Sequence, residues 1–134
     1  MKTIKINFVD FWPGFDYRSF FLFSYLSDYY NLVISEKPDY VFCSSFGYHH
    51  WRYKNCIKIY YTGENLVPDF NIYDYGIGFH YLSLEDRYLR FPLWLTYSWN
   101  KLDRMENGEL KISKDLCKRK FCNFVYSNEG WANP

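Results

Sequence analysis

The sequence predicts a single α/β domain built on a mainly parallel sheet, and three observations carry that expectation. Short runs rich in β-branched and aromatic residues recur along the chain, each closed by glycine, proline, asparagine or aspartate. Helical patterns or polar connections separate them, the alternation expected of strands joined by crossovers. One run, Tyr40-Val41-Phe42-Cys43-Ser44, has the unbroken apolar character of a central strand buried on both faces.

Taken in order, Lys2 to Phe11 reads as a first strand, apolar at Ile4, Ile6, Phe8 and Phe11 and broken by Trp12-Pro13-Gly14. Asp16 can cap the next segment, Tyr17 to Tyr30, where Phe20, Phe21, Phe23, Leu26 and Tyr30 suit an amphipathic helix with a wide apolar face. Leu32 to Ser35 is a short strand, and Pro38-Asp39 turns the chain into the central run. Tyr48 to Tyr53 is too polar for a strand and reads as a loop or a single helical turn. Cys56 to Tyr61 is again β-branched and aromatic, a buried strand. Tyr75 to Phe79 is another short strand, and Arg87 to Leu95 is extended and apolar. Asn100 to Lys120 is charged and superficial, and Phe121 to Tyr126 is one more strand. There is no internal repeat or low-complexity segment, and the pattern as a whole is that of one Rossmann-like sheet.

At 134 residues the chain is one domain's worth. The net charge of +1 does not point to nucleic acid. Its distribution is uneven: Ile59 to Asp86 has no Lys or Arg, while Lys101 to Lys120 is predominantly basic and ends in Lys118-Arg119-Lys120. Such a run is ordinarily a solvated face or linker; contact with phosphate or anionic lipid at a membrane surface is the other reading. Cys43, Cys56, Cys117 and Cys122 lack the paired spacing of a zinc site, so reduced thiols in a reducing compartment are expected. The chain opens directly into a strand with no leader pattern, and no apolar run reaches the roughly 20 residues needed to cross a bilayer. A cytoplasmic protein is expected, with peripheral attachment to the inner face of a membrane left open by the basic segment. Aromatic residues make up 25% of the chain, more than a core alone demands. Either the composition is generally rich in Phe and Tyr, or some rings line a groove where they stack on sugars or bases.

The most informative stretch is Thr62-Gly63-Glu64-Asn65, a polar turn that follows the Cys56 to Tyr61 strand and holds one carboxylate. Ligands of open α/β sheets sit outside the carboxyl ends of the strands, so Glu64 is the leading candidate for a catalytic base. Read by itself, a glutamate in such a turn is a solvated charge or a helix cap. Gly76-x-Gly78 lacks the third glycine and following helix of a phosphate loop. His49 and His50 have no companion at metal-ligand spacing and read as surface or loop histidines. Arg87 and Arg90 are expected to pair with Asp69, Asp74 or Asp86.

Tyr60 to Asn65, Pro68 to Asn71, Asp74 to Phe79 and Asp86 to Leu93 together resemble, in order, the amino-terminal half of the α-1,3/1,4-fucosyltransferase family. Phe121 to Asn128 is similar to the segment that leads into that family's carboxyl-terminal domain. The resemblance covers most of the chain and implies one half of a two-domain inverting glycosyltransferase. Residues 1–126 would be the Rossmann-like, acceptor-side domain, and 127–134 the start of a linker to an absent donor-binding domain. GDP-fucose would be the donor substrate of the whole enzyme, and no cofactor or metal is expected in this chain. The acceptor would be an N-acetyllactosamine-type glycan of surface polysaccharide such as lipopolysaccharide.

By the same resemblance Glu64 takes the proton from the acceptor hydroxyl as it attacks the anomeric carbon. A carboxylate near its reference pKa of about 4.3 is ionised at neutral pH, and partial burial beside Tyr rings would raise its basicity. Thr62 and Asn65 would orient Glu64 or bind a sugar hydroxyl. Trp12 and Asp16 follow the first strand on the same sheet edge and would contact acceptor, with core packing for Trp12 and helix capping for Asp16 as equal alternatives. Alone, the chain is expected to be nearly inactive. Two other readings remain: a carbohydrate-binding module without chemistry, and an orphan α/β domain that self-associates through its exposed interdomain face.

Overall fold

The computed structural model describes residues 1–96. The expected Asn100 to Lys120 surface segment, the Phe121 to Tyr126 strand, the 127–134 linker, Cys117 and Cys122 lie outside the described residues. Six strands form one sheet: β1 (Lys2–Val9), β2 (Tyr30–Ile34), β3 (Tyr40–Cys43), β4 (Ile57–Tyr61), β5 (Tyr75–Gly78) and β6 (Tyr88–Arg90). Their order across the sheet is β2-β1-β3-β4-β5-β6, and all five pairings are parallel. This is the α/β architecture expected from the sequence. The order contains one reversal: the chain steps from β1 outward to β2, then returns across β1 to lay β3 on its other side.

Side chains alternate across the sheet and build a core on each face. Val41, Cys43 and Tyr60 pack with Tyr73 on one face. On the other, Phe20, Tyr61 and Ile77 are joined by Phe8, Phe11, Phe15 and Phe91. The adjacent pair Tyr60 and Tyr61, 6% and 3% exposed, therefore serves both cores at once. Much of the aromatic excess is spent on the second face, where Phe8 stacks on Phe42 at 5.1 Å and Phe11 on Phe15 at 4.0 Å. Cys43 is free and fully buried, and burial first, then the charge of Asp10, pushes its thiol up to about 12. It is a packing residue, inert as a nucleophile.

The helical segment is shorter than the pattern Tyr17 to Tyr30 predicts. A 3-10 turn covers Tyr17–Ser19, Phe20 is extended, and α1 runs only Phe21–Ser27 before Tyr30 joins β2. Ring packing explains the break. Phe20 sits 5.0–5.5 Å from the rings of Phe11, Phe15 and Tyr61, and the backbone leaves the helix to seat it. Tertiary contact outweighs the few tenths of a kcal/mol of helix propensity at stake, roughly 0.5 kcal/mol per aromatic residue. Asp16 does cap this segment, its carboxylate accepting from the Arg18 amide at 3.0 Å.

Two further expectations are corrected. Arg87 to Leu95 is not one extended piece: a 3-10 turn at Glu85–Arg87 precedes β6, and residues 93–96 are helical. Among the described residues, Arg87 and Arg90 form no ion pair with Asp69, Asp74 or Asp86. Arg87 donates to the main-chain carbonyls of Asp74, Phe70 and Tyr73 at 2.9–3.1 Å, and Arg90 to that of Phe79 at 3.1 Å. The carboxylates are already engaged: Asp74 accepts from the Lys58 amide at 2.8 Å, and Asp69 from the Asn71 amide at 2.9 Å. Arg87 instead fastens the β4–β5 connection to the start of β6, and Arg90 fastens the residue after β5 to β6. Among the described residues no helix is long and apolar enough to cross a membrane.

Candidate functional site

The reversal in strand order decides where a ligand can sit. The connection leaving β1 runs to α1 on one face of the sheet. The connection leaving β3 runs to a 3-10 turn, His49–Arg52, where the ring of His50 lies 5.4 Å from that of Tyr73 on the other face. Where neighbouring connections diverge in this way, a crevice opens at the carboxyl edge between the strands. A cavity of about 620 Å³ lies there, with walls supplied after β1 (Trp12, Asp16), after β3 (Ser44, Phe46) and after β4 (Gly63, Glu64), and closed by Leu93 and Thr96.

The turn that carries Glu64 is built by its neighbours. The Thr62 amide donates to the Ile77 carbonyl at 3.1 Å, continuing the β4–β5 ladder, and the Thr62 hydroxyl accepts from the Glu64 amide at 2.9 Å. That side-chain bond reverses the chain directly after the strand. Gly63 leaves room for Leu93 to close over the turn: a Cβ there would lie 2.8 Å from Leu93 Cδ1 and would turn that exposed side chain aside. Glu64 itself is exposed at the lip of the cavity. The partial burial expected for it is absent, because the turn projects beyond the Tyr60 and Tyr61 rings that the strand buries. The Tyr60 phenol feels it nonetheless. Burial first raises that phenol, the Thr62 and Ser45 hydroxyls pull it back, and the Glu64 charge adds a smaller upward push.

Of the five residues singled out from the sequence, the structure brings Glu64, Trp12 and Asp16 to one cavity. Trp12, 41% exposed, stands edge-on to Phe15 at 4.9 Å and to Phe46 at 6.4 Å, so it joins the aromatic core and walls the cavity at once. Asp16 caps the 3-10 turn and still faces the cavity. Thr62 and Asn65 are not among the cavity walls. Thr62 is 2% exposed, with its hydroxyl committed to the turn, while Asn65 is exposed beyond it.

The most constrained group near the crevice was not visible in the sequence. Asp10, directly after β1, has φ of 62°, a left-handed conformation that costs a non-glycine residue about 1–2 kcal/mol. Its fully buried carboxylate accepts from the amides of His49 and His50 at 2.7 and 2.9 Å, and from their Nδ1 atoms at 3.0 and 2.8 Å. Its carbonyl accepts from the Phe46 amide at 2.9 Å. Burial by itself would raise the carboxyl pKa, but the His49 amide, the His50 ring and the remaining two bonds together hold it below the usual aspartate value. An ionised carboxylate only accepts, so both Nδ1 atoms carry the proton. His50 is thus no surface histidine: it is 5% exposed and clamped. Gly47 leaves room for the clamp, since a Cβ there would lie 2.6 Å from Asp10 Oδ1. Asp10 ties together the two connections that diverge around the crevice and so fixes the wall that holds Ser44 and Phe46.

Among the described residues, no group of three or more His, Cys, Asp or Glu side chains could hold a metal ion. The cavity instead offers carboxylates and aromatic rings, a lining suited to a neutral polyhydroxylated ligand. The family described as the alpha-(1,3)-fucosyltransferase FucT N-terminal domain matches residues 6–97, which include every wall of the cavity and all of the described sheet except the first half of β1. The chain belongs to this fucosyltransferase family. It is 36% identical over 100 residues to the alpha-(1,3)-fucosyltransferase FucT of Helicobacter pylori, a match that takes in 68% of this chain and 21% of that protein. Solved structures agree. A crystal structure of an alpha1,3-fucosyltransferase with GDP-fucose superposes with a TM-score of 0.61 at 31% identity, covering 75% of this chain and 30% of that one. Another alpha1,3-fucosyltransferase crystal structure gives a TM-score of 0.64 at 29% identity, covering 85% of this chain and 36% of its own. The fucosyltransferase sheet described above thus spans about a fifth to a third of the relatives it matches.

Proposed function

We propose that the chain is the acceptor-side half of an inverting fucosyltransferase, with Glu64 as the general base. The observation that carries this reading is the placement of Glu64 at the lip of a cavity, at the topological switch point of a sheet of this family. GDP-fucose is β-linked and the product α-linked, so one displacement suffices. The acceptor hydroxyl attacks the anomeric carbon as the bond to GDP breaks, and its proton passes to the Glu64 carboxylate. Exposure at the lip suits a base that must meet a donor arriving from outside this half. Trp12 and Phe46 offer flat faces to a pyranose ring, and Asp16 a carboxylate to its hydroxyls. The same two carboxylates, Asp16 and Glu64, disfavour a nucleoside diphosphate in this cavity, which supports assigning it to the acceptor. The acceptor class we assign is an N-acetyllactosamine-type glycan. Positioning both reactants supplies much of the rate, so this half by itself is close to inactive until a donor-binding domain joins it.

Ligand-observed NMR titration of the chain tests the assignment. Saturable binding of N-acetyllactosamine without binding of GDP-fucose is expected. Binding of GDP-fucose alone would show that the cavity belongs to the donor, and binding of neither would remove the cavity as a saccharide site.

A further inference from the structure

We propose that Thr96 positions the acceptor, its hydroxyl holding a hydroxyl of the saccharide; this rests on the acceptor-side reading above and deepens it. Thr96 lines the same cavity as Glu64, Trp12 and Asp16. Its Oγ1 is sealed from solvent and has no hydrogen-bond partner among the described residues. An unmet hydroxyl of this kind costs about 1–3 kcal/mol, a penalty that valine, of the same shape, would not carry. Groups left unpaired in a fold are concentrated where a ligand supplies the missing bond.

The local geometry places this residue over the Glu64 turn. Residues 93–96 are helical, so Leu93 and Thr96, three apart, share a face. Leu93 presses on Gly63, the residue before Glu64, as the 2.8 Å approach to a Cβ there shows. The face that closes over the Glu64 turn therefore also presents Thr96. A helical threonine has two χ1 rotamers, which exchange its hydroxyl and methyl group; the one seen here keeps the hydroxyl away from solvent, and a ligand in the cavity would select the other. The hydroxyl both donates and accepts, which matches a neutral sugar hydroxyl in the cavity that Trp12 and Phe46 also line. Among the described residues, His80 Nε2 is also buried without a side-chain partner, and it lies outside the cavity walls.

The test compares the 134-residue chain with its Thr96→Val and Thr96→Ser variants, each titrated with N-acetyllactosamine by ligand-observed NMR and each melted thermally. Valine is expected to weaken disaccharide binding by about five- to tenfold, the worth of one hydrogen bond, while raising Tm because the unmet hydroxyl is gone. Serine is expected to keep binding within about twofold of wild type. A higher Tm for valine with unchanged binding overturns the proposal and leaves the acceptor-side reading standing. A wild-type chain that binds no disaccharide overturns both. Should the valine variant misfold, Thr96→Ala removes the same hydroxyl with less bulk and is read in the same way.

Discussion

Exchanging Glu64 for Gln, in a protein that carries both halves of the transferase, is expected to lower fucose transfer by roughly a hundred- to ten-thousand-fold. Glutamine keeps the shape and the hydrogen-bonding reach of the side chain but cannot take up the acceptor proton. Because Glu64 is exposed and the turn is held by Thr62 and Gly63, the fold and its melting temperature should hardly change. The loss should fall on kcat, with acceptor KM little altered, since an interaction made mainly in the transition state is what has been removed. Steady-state kinetics with varied acceptor separate these effects. Turnover of Glu64→Gln within a few-fold of wild type would remove Glu64 as the base.

The second large effect is structural. Asp10→Asn is expected to destabilise the chain by about 3–5 kcal/mol, because it removes the charge from a buried cluster built to receive four donors and sets amide hydrogens against them. Asparagine tolerates the left-handed backbone at this position, so the loss reports on the cluster and not on backbone strain. The pH dependence follows from the direction of the shift. The Asp10 carboxyl lies below its ordinary value in the folded chain, so its contribution is complete above the unfolded pKa of about 3.9. It is lost as pH falls through the lower, folded value. Denaturant unfolding between pH 7 and pH 3 should therefore show wild type and Asp10→Asn converging toward acid, and a constant gap would refute this assignment. The variant should also loosen the wall that carries Ser44 and Phe46, since the Asp10 carboxylate holds that connection through the His49 and His50 amides, leaving only the main-chain bond from Phe46.

The strands were legible because burial on two faces leaves a direct mark: Tyr40 to Cys43 and Ile59 to Tyr61 are apolar or aromatic on both sides of the sheet. Glu64 was legible for a related reason, as a lone carboxylate at the point where such a run stops. The Phe20 break was hidden, because the 3.6-residue pattern across Tyr17 to Tyr30 is satisfied equally by a continuous helix. Only the rings of Phe11 and Phe15, from the connection after β1, and of Tyr61, from β4, decide against it. Asp10 was hidden more deeply. Its partners are 39 and 40 residues away, and they meet it only because β3 returns to lie beside β1. The available signal was an acidic residue in the expected first strand, one place before Phe11, where an apolar strand has no use for a charge. Thr62 is the converse case: of its two expected roles, orienting Glu64 or binding a sugar hydroxyl, the turn bond to the Glu64 amide fits the first, a local bond that residue type alone does not single out.

The most direct test of the acceptor-side assignment is to map where N-acetyllactosamine binds, by following backbone amide shifts of the isotopically labelled chain during a titration. Shifts centred on Trp12, Phe46, Gly63 and Glu64, at the carboxyl edge of β1, β3 and β4, are what the assignment predicts. Shifts confined to the opposite edge of the sheet, or the same residues responding to GDP-fucose and not to the disaccharide, would contradict it.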